Sequence, residues 1–305
     1  MIMHQVALVK REIWEHRSIW LTPIAIASIV TFGTLTALMF AGEFADELNV
    51  ALFGAQNIAG ETERKAVLSG LFFGSSGLFF LSLGILIIFY SLDSLYAERK
   101  DKSILFWRSL PVTDAETVIS KLATALLVIP AAMIVAIIST HLINLIVTSI
   151  WVSMKGGDAG LLIWSSVPLF SDWLSMIIIV YAAVIWMSPF VGWFLFVSAY
   201  TKRSTFMMAF LPLVLIPMLE GIFLHSNEFA RMVWGRLASI PIHSGVDIEQ
   251  LFDEDKFELN EQMISVLAHL DIGRFASSPS VWAGVAICGL LSFAAIYVRR
   301  FRDES

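Results

Sequence analysis

The sequence predicts an all-α integral membrane protein with six transmembrane helices, an N-terminal interfacial helix, a cytoplasmic hairpin and an outer helical element before the last span. Three observations predict it. The 305-residue chain is 57% apolar and only 15% charged, with a mean hydropathy of +0.78, which is too little charge to cover a soluble domain of this size. Six stretches approach or exceed the roughly 20 apolar residues that a helix needs to cross a bilayer core. The basic residues between those stretches are unevenly shared.

The elements follow in order. In Met1–Arg17, Ile2, Val6, Val9 and Ile13 recur at helical spacing, so they predict an amphipathic helix with one apolar face. Lys10, Arg11 and Glu12 border that face, while Trp14 and Trp20 suit a headgroup boundary. Such a helix lies along a membrane surface; the alternative is a plain extension of the first span. Ser18–Gly42 is the first span and carries no charge. Its length exceeds the ~7–15 residues of a signal core, so it is read as retained. A short acidic loop near Glu43–Lys65 leads to the second span, Val67–Leu92. There Gly70 and Gly74 form a G-x-x-x-G pair, expected to bring helices together within one subunit.

Ser91–Arg108 is expected to continue the second span as a helix, with a turn at Pro111. Thr113-Asp114-Ala115-Glu116 then reads as a capping box that starts the third helix. From Asp114 to about Ile150 this helix would be roughly 55 Å long, against a hydrocarbon core of ~30 Å. It should tilt or project, and bend at Pro130. The run Ala159–Ser171 is too short to span and is expected at the interface or as a re-entrant piece. The fourth span, Trp173–Thr201, carries Pro189 and Gly192; the fifth, Ser204–Leu224, carries Pro212, Pro217 and Glu220. Proline interrupts the helical ladder, so both should be bent. Residues 225–280 form the outer segment, with a helical pattern in "DIEQLFDEDKFELNEQMISVLAHL". The last span, Phe275–Val298, holds Cys288, the single cysteine, so no intrachain disulfide is available.

Thirteen of the 20 Lys and Arg residues fall in Met1–Arg17, the 93–121 loop, Lys202–Arg203 and the tail. The positive-inside rule then places both termini in the cytoplasm. The net charge of −6 gives no reason to expect nucleic acid as a partner.

Much chemistry is absent from the sequence. No G-x-x-x-x-G-K-S/T loop occurs, and Gly74–Gly77 lies in an apolar span without a following Lys. There is no H-E-x-x-H or G-x-S-x-G motif. Asp253, Glu254 and Asp255 lack the spaced ligands and glycine of a calcium loop. The chain is therefore expected to have no catalytic residues, no metal site and no cofactor of its own. His141 and Asn144 share a face of the third span. They are a candidate polar pathway or catalytic pair, or else an interhelical hydrogen bond. Glu220 is a candidate gate or proton site, or a solvated interfacial acid.

The most informative stretch is Tyr96–Leu122. It holds nine charged residues together with four consecutive large apolar ones, Ile104, Leu105, Phe106 and Trp107. Four in a row cannot all face one way on a helix, so some must enter lipid or meet another protein. The surrounding ions would orient such a contact.

In this stretch "LYAERKDKSILFWRSLPVTDAETVISKL" resembles the loop of type-2 ABC exporter permeases. There a helix with a Glu-Arg pair precedes a Leu-Pro-Val-Ser/Thr segment and a Lys entering the next span. Glu98-Arg99, Leu110-Pro111-Val112-Thr113 and Lys121 stand in those places. The six spans and the outer segment before the last one extend the likeness loosely over the chain. "DKSILFWRSL" is bulkier than the usual Gly-Thr-Leu pattern, and the outer segment is long.

The resemblance implies a single permease domain, 1–305, with residues 91–118 as a coupling loop docked on cytoplasmic ABC ATPase subunits. Its coupling residues would be Glu98, Arg99, Asp101, Phe106, Trp107, Arg108, Pro111, Thr113 and Lys121. ATP and Mg would be bound by the partner ATPase, so this chain would be a transport subunit rather than an enzyme. A second permease copy or homologue and a bacterial inner membrane are implied as well. The exported substrate is not readable. The alternative is an ion-gradient-driven secondary transporter or channel using His141 and Glu220. A membrane enzyme and a scaffold are further rivals.

Overall fold

The computed structural model describes residues 2–40, 58–104, 112–165, 167–242 and 266–301. Among these residues the protein is helical and has no β-strand. Six helices are long and apolar enough to cross a membrane, and the chain is a multi-pass membrane protein.

Helix α1 (Ile2–Glu15) precedes α2 (Ser18–Phe40), the first span. Val6 is exposed, whereas Leu8 and Glu12 are buried. A charge is drawn inward on the side of α1 that packs against the bundle.

Helix α3 (Ile58–Lys100) is 43 residues long and forms the second span. It stops at Lys100, short of the expected Arg108, because Lys102 adopts a left-handed backbone, φ 57°. The Ser103 hydroxyl also donates to the Glu98 carbonyl, one of the carbonyls left open at the helix end. The third span begins with α4 (Asp114–Ala123), passes through a π-helical turn at Thr124–Val128 and continues as α5 (Ile129–Met154). Together they run 41 residues, about 60 Å. Pro130 lacks an N–H, and the turn just before it absorbs the missing bond by widening.

The predicted fourth span is two helices. α6 (Leu169–Trp186) and α7 (Ser188–Tyr200) meet at Met187, whose φ and ψ are −83° and 0°. Pro189 cannot donate to the Ile185 carbonyl, and the Phe190 N–H turns to Met187 instead. Ser69 of α3 bonds Asp172 of α6, while Leu95 and Tyr96 of α3 bond Ser198 of α7. The broken helix therefore runs parallel to α3 along its length.

The fifth span, α8 (Thr205–Leu219), buries only Ala209, so most of its apolar surface faces outward. A π-helical turn, Glu220–Leu224, leads to α9 (Glu228–Ala238). The short α10 (Ile272–Ser277) precedes the last span, α11 (Pro279–Phe301). The core gathers around Phe79 of α3, Ile129 and Met133 of α5, and Leu195 of α7. The close approach of α7 to α11 depends on Gly192: a Cβ there would lie 2.9 Å from the Cys288 Cα. Gly70 and Gly74 contrast with it. Nothing lies within 4 Å of a Cβ built at either, so this pair does not make the expected helix contact within the subunit.

Candidate functional site

At one end of the bundle, four helices meet around a buried set of ions. Lys121 of α4, fully buried, donates to Glu12 Oε1 and Oε2 of α1 at 2.9 and 3.0 Å. Its Nζ also lies 3.0 Å from Glu98 Oε1 of α3. Arg299 of α11 reaches Glu98 Oε2 at 2.7 Å and Asp114 Oδ1 of α4 at 2.9 Å. Arg11 of α1 bonds Glu12 and Glu98, and the Tyr90 hydroxyl donates to Glu12 Oε2 at 2.8 Å.

Three carboxylates (Glu12, Glu98, Asp114) thus face three cations (Arg11, Lys121, Arg299). The set is electrically balanced, which makes such burial tolerable. Burial by itself would lower the pKa of Arg11, but Glu12, Glu98 and Glu15 outweigh it and raise it. His16, edge-on to Tyr90 at 4.9 Å, has its pKa lowered by burial, against the pull of Glu12.

The flanks tie in further elements. Arg99 donates to the carbonyls of Ser198 and Thr201, the latter at 2.8 Å, so a cation sits at the negative end of α7. The Tyr96 hydroxyl donates to the Arg203 carbonyl at 2.7 Å. The capping box is formed: the Glu116 N–H donates to Thr113 Oγ1, and the Thr113 N–H donates to Glu116 Oε2. His4 of α1 lies 3.2 Å from Glu116.

The sequence-derived coupling residues therefore separate into three groups. Glu98, Arg99 and Lys121 point into the bundle and hold helices together. Asp101 is exposed just past the end of α3, and Thr113 starts α4. Phe106, Trp107, Arg108 and Pro111 lie outside the described residues. Sequence reasoning missed Glu12 and Arg299 as partners of Glu98 and Lys121. The available signal was that any acid or base buried at the base of a span requires an opposite charge.

Of the pathway residues, His141 is buried between α3 and α6. Its Nε2 lies 3.1 Å from Ser76 Oγ, and its Nδ1 accepts from Trp173 Nε1 at 3.3 Å. No hydrogen bond joins it to Asn144, whose Oδ1 is buried without a partner among the described residues. Glu220 caps α9: it accepts from Ser226 Oγ at 2.7 Å and from the Glu228 N–H at 2.8 Å. Asp172, also missed in the sequence, is 2% exposed and bonded by Ser69 Oγ at 3.0 Å.

A third polar site holds the helix break. Arg236 of α9 donates from Nε to the Trp186 carbonyl at 2.7 Å, the acceptor that Phe190 leaves open. It also donates to the Ser280 carbonyl at 3.1 Å. Trp186 Nε1 returns a bond to the Arg236 carbonyl at 2.7 Å, and the guanidinium lies 4.1 Å from the indole centroid. Gly284 makes room, since a Cβ there would overlap Arg236.

Among the described residues, no cluster of three or more His, Cys, Asp or Glu side chains could hold a metal ion. Compared with protein-family models, curated proteins and solved structures, the chain matches none.

Proposed function

We propose that this chain is the membrane-spanning permease subunit of an ABC exporter, coupling ATP hydrolysis by separate cytoplasmic ATPase subunits to export through a pair of permeases. The observation that carries this reading is the ion network around Lys121 and Glu98. It lies at the root of the hairpin between the second and third spans and joins that hairpin to the first and last helices. A displacement of the hairpin would act on α1, α3, α4 and α11 together. In this reading the network end is cytoplasmic, the membrane is a bacterial inner membrane, and residues 105–111 dock on the ATPase. Glu98, Arg99 and Lys121 transmit the movement rather than touch the partner. The apolar face that Val6 and Val9 share with Ile119 and Leu127 suits a helix lying in the bilayer surface.

The test is purification of the full chain in mild detergent from its native host, with ATP hydrolysis assayed on what accompanies it. An ATPase that co-purifies, and is lost on Trp107→Ala with Arg108→Ala, supports the reading. A stable protein with no ATPase overturns it.

Asp172 favours a second reading, an ion-gradient-driven transporter. An acid with a single hydroxyl partner, buried in the first turn of a span, is the kind of group such proteins use. That reading requires transport by the purified chain alone, abolished by Asp172→Asn.

A further inference from the structure

Three acids are buried among the described residues: Glu12, Glu98 and Asp172. The first two face lysine and arginine. Asp172 pairs with no Lys, Arg or His side chain. Its Oδ2 accepts from Ser69 Oγ at 3.0 Å. Its Oδ1 is buried and has no partner among the described residues.

The neighbouring elements supply no counter-ion. His141 of α5 uses both ring nitrogens, toward Ser76 Oγ and Trp173 Nε1. Lys65, one turn before Ser69 on α3, does not bond Asp172, and neither does His269 in the turn Val266–His269. α6 offers only its N-terminus, since Asp172 lies in its first turn. That end carries a partial charge of about +0.5 spread over several N–H groups, and among the described residues none of them donates to the carboxyl. Half a charge and one neutral hydroxyl do not replace the hydration of a full charge. A buried carboxyl so placed gives up its charge by taking a proton.

A metal ion fits less well. Hard cations gather about six or more oxygens, whereas Asp172 has one beyond its own, Ser69 Oγ. Apolar neighbours keep the place dry: Leu68, next to Ser69, and Val167 cluster with Leu162 and Ile163. Along α3, Ser69 and Glu98 are about 43 Å apart, so Asp172 lies at the opposite end of the bundle from the ion network.

We infer that Asp172 is a proton-binding site: its carboxyl holds a proton on Oδ1 while α3 and α6 are packed together, and loses it to water as that contact opens. The Ser69 bond to Oδ2 is compatible with both states. Release leaves a bare charge between the helices, so the bound proton favours the closed contact. This goes beyond the exporter reading and names the ion for the ion-gradient one. It is read without ATP, gradient or transport, so it stands or falls apart from both.

The experiment is infrared difference spectroscopy on the full chain in lipid nanodiscs at neutral pH. Wild type minus Asp172→Asn should show the carbonyl stretch of one protonated carboxyl, shifted in heavy water. As pH is raised, that band should give way to carboxylate. Amide exchange in Ser69–Gly74, corrected for its intrinsic pH dependence, should then rise several-fold in wild type but not in Asp172→Asn, whose side chain stays neutral. If Asp172→Asn fails to fold, a chain with isotope-labelled aspartate replaces it; the band must then carry the isotope shift and move in Ser69→Ala. A carboxylate at neutral pH in place of the protonated carboxyl overturns the inference, as does equal exchange in the two chains at raised pH, or a band that lacks the isotope shift or ignores Ser69→Ala.

Discussion

The network end and the opposite half of the bundle handle buried polarity in different ways. Around Lys121, six ions from four helices share one site, and each of Glu12 and Glu98 has several partners. In the other half, polar groups stand apart: Asp172 with Ser69, His141 with Ser76 and Trp173, Arg236 with two carbonyls and an indole. A shared set of ions resists the removal of any member, since the remainder is left unbalanced in low dielectric. Separate pairs can open one at a time. The contrast describes a bundle clamped at one end and segmented at the other.

The sharpest way to break this comparison is Lys121→Met set beside Ser69→Ala. The first removes the buried ammonium between Glu12 and Glu98, leaves Arg11 to serve both carboxylates and should cost about 3–5 kcal/mol. The second removes one neutral donor and should cost about 1 kcal/mol. Thermal unfolding in detergent compares them, and equal losses would refute the clamp.

Glycines sharpen the comparison next. Gly192→Ala forces α7 away from the Cys288 backbone and should destabilise by about 1–3 kcal/mol. Gly74→Ala meets nothing and should be neutral or stabilising by up to about 1 kcal/mol. Arg236→Ala should act locally. It removes two charge-assisted bonds at the break, worth about 1.5–3 kcal/mol each. Amide exchange in Trp186–Phe190 should speed up about ten-fold or more while exchange near Lys121 stays as before. Acceleration at both places would mean the two halves are not separate.

Thr113→Ala removes the cap of α4 and should cost about 1 kcal/mol, visible as faster exchange in the first turn of α4.

The smallest effect is a pH dependence. Burial holds His16 below its ordinary value of 6.5, so as pH falls the unfolded chain binds the proton first. Its contribution to stability is whole above about 6.5 and is lost as pH falls toward the lowered folded value. His16→Gln should flatten the unfolding temperature against pH in that window. An unchanged slope would show that His16 does not titrate this way.

The sequence read some features correctly because their causes are local. The Thr113–Glu116 cap is formed, since a capping box is closed by four neighbouring residues. The interruption of the fourth span follows from Pro189, which lacks a donor wherever it is placed. Glu220 was legible as an interfacial acid, but its cap on α9 depended on a turn that brings residues 226–229 back to it. For α1 the apolar repeat was legible, but the pull on Glu12 from Lys121, 109 residues away, was not.

By itself, then, the sequence determined the number of spans, their approximate ends and the helix starts and breaks, because length, apolarity, caps and proline act over one or a few turns. Only the tertiary structure decided which charges meet and which glycine packs. Glu98 and Arg299 lie 201 residues apart, and no spacing rule links them. Their pairing arises from the packing of α3, α4 and α11, and from the cost of leaving any one of these ions buried alone.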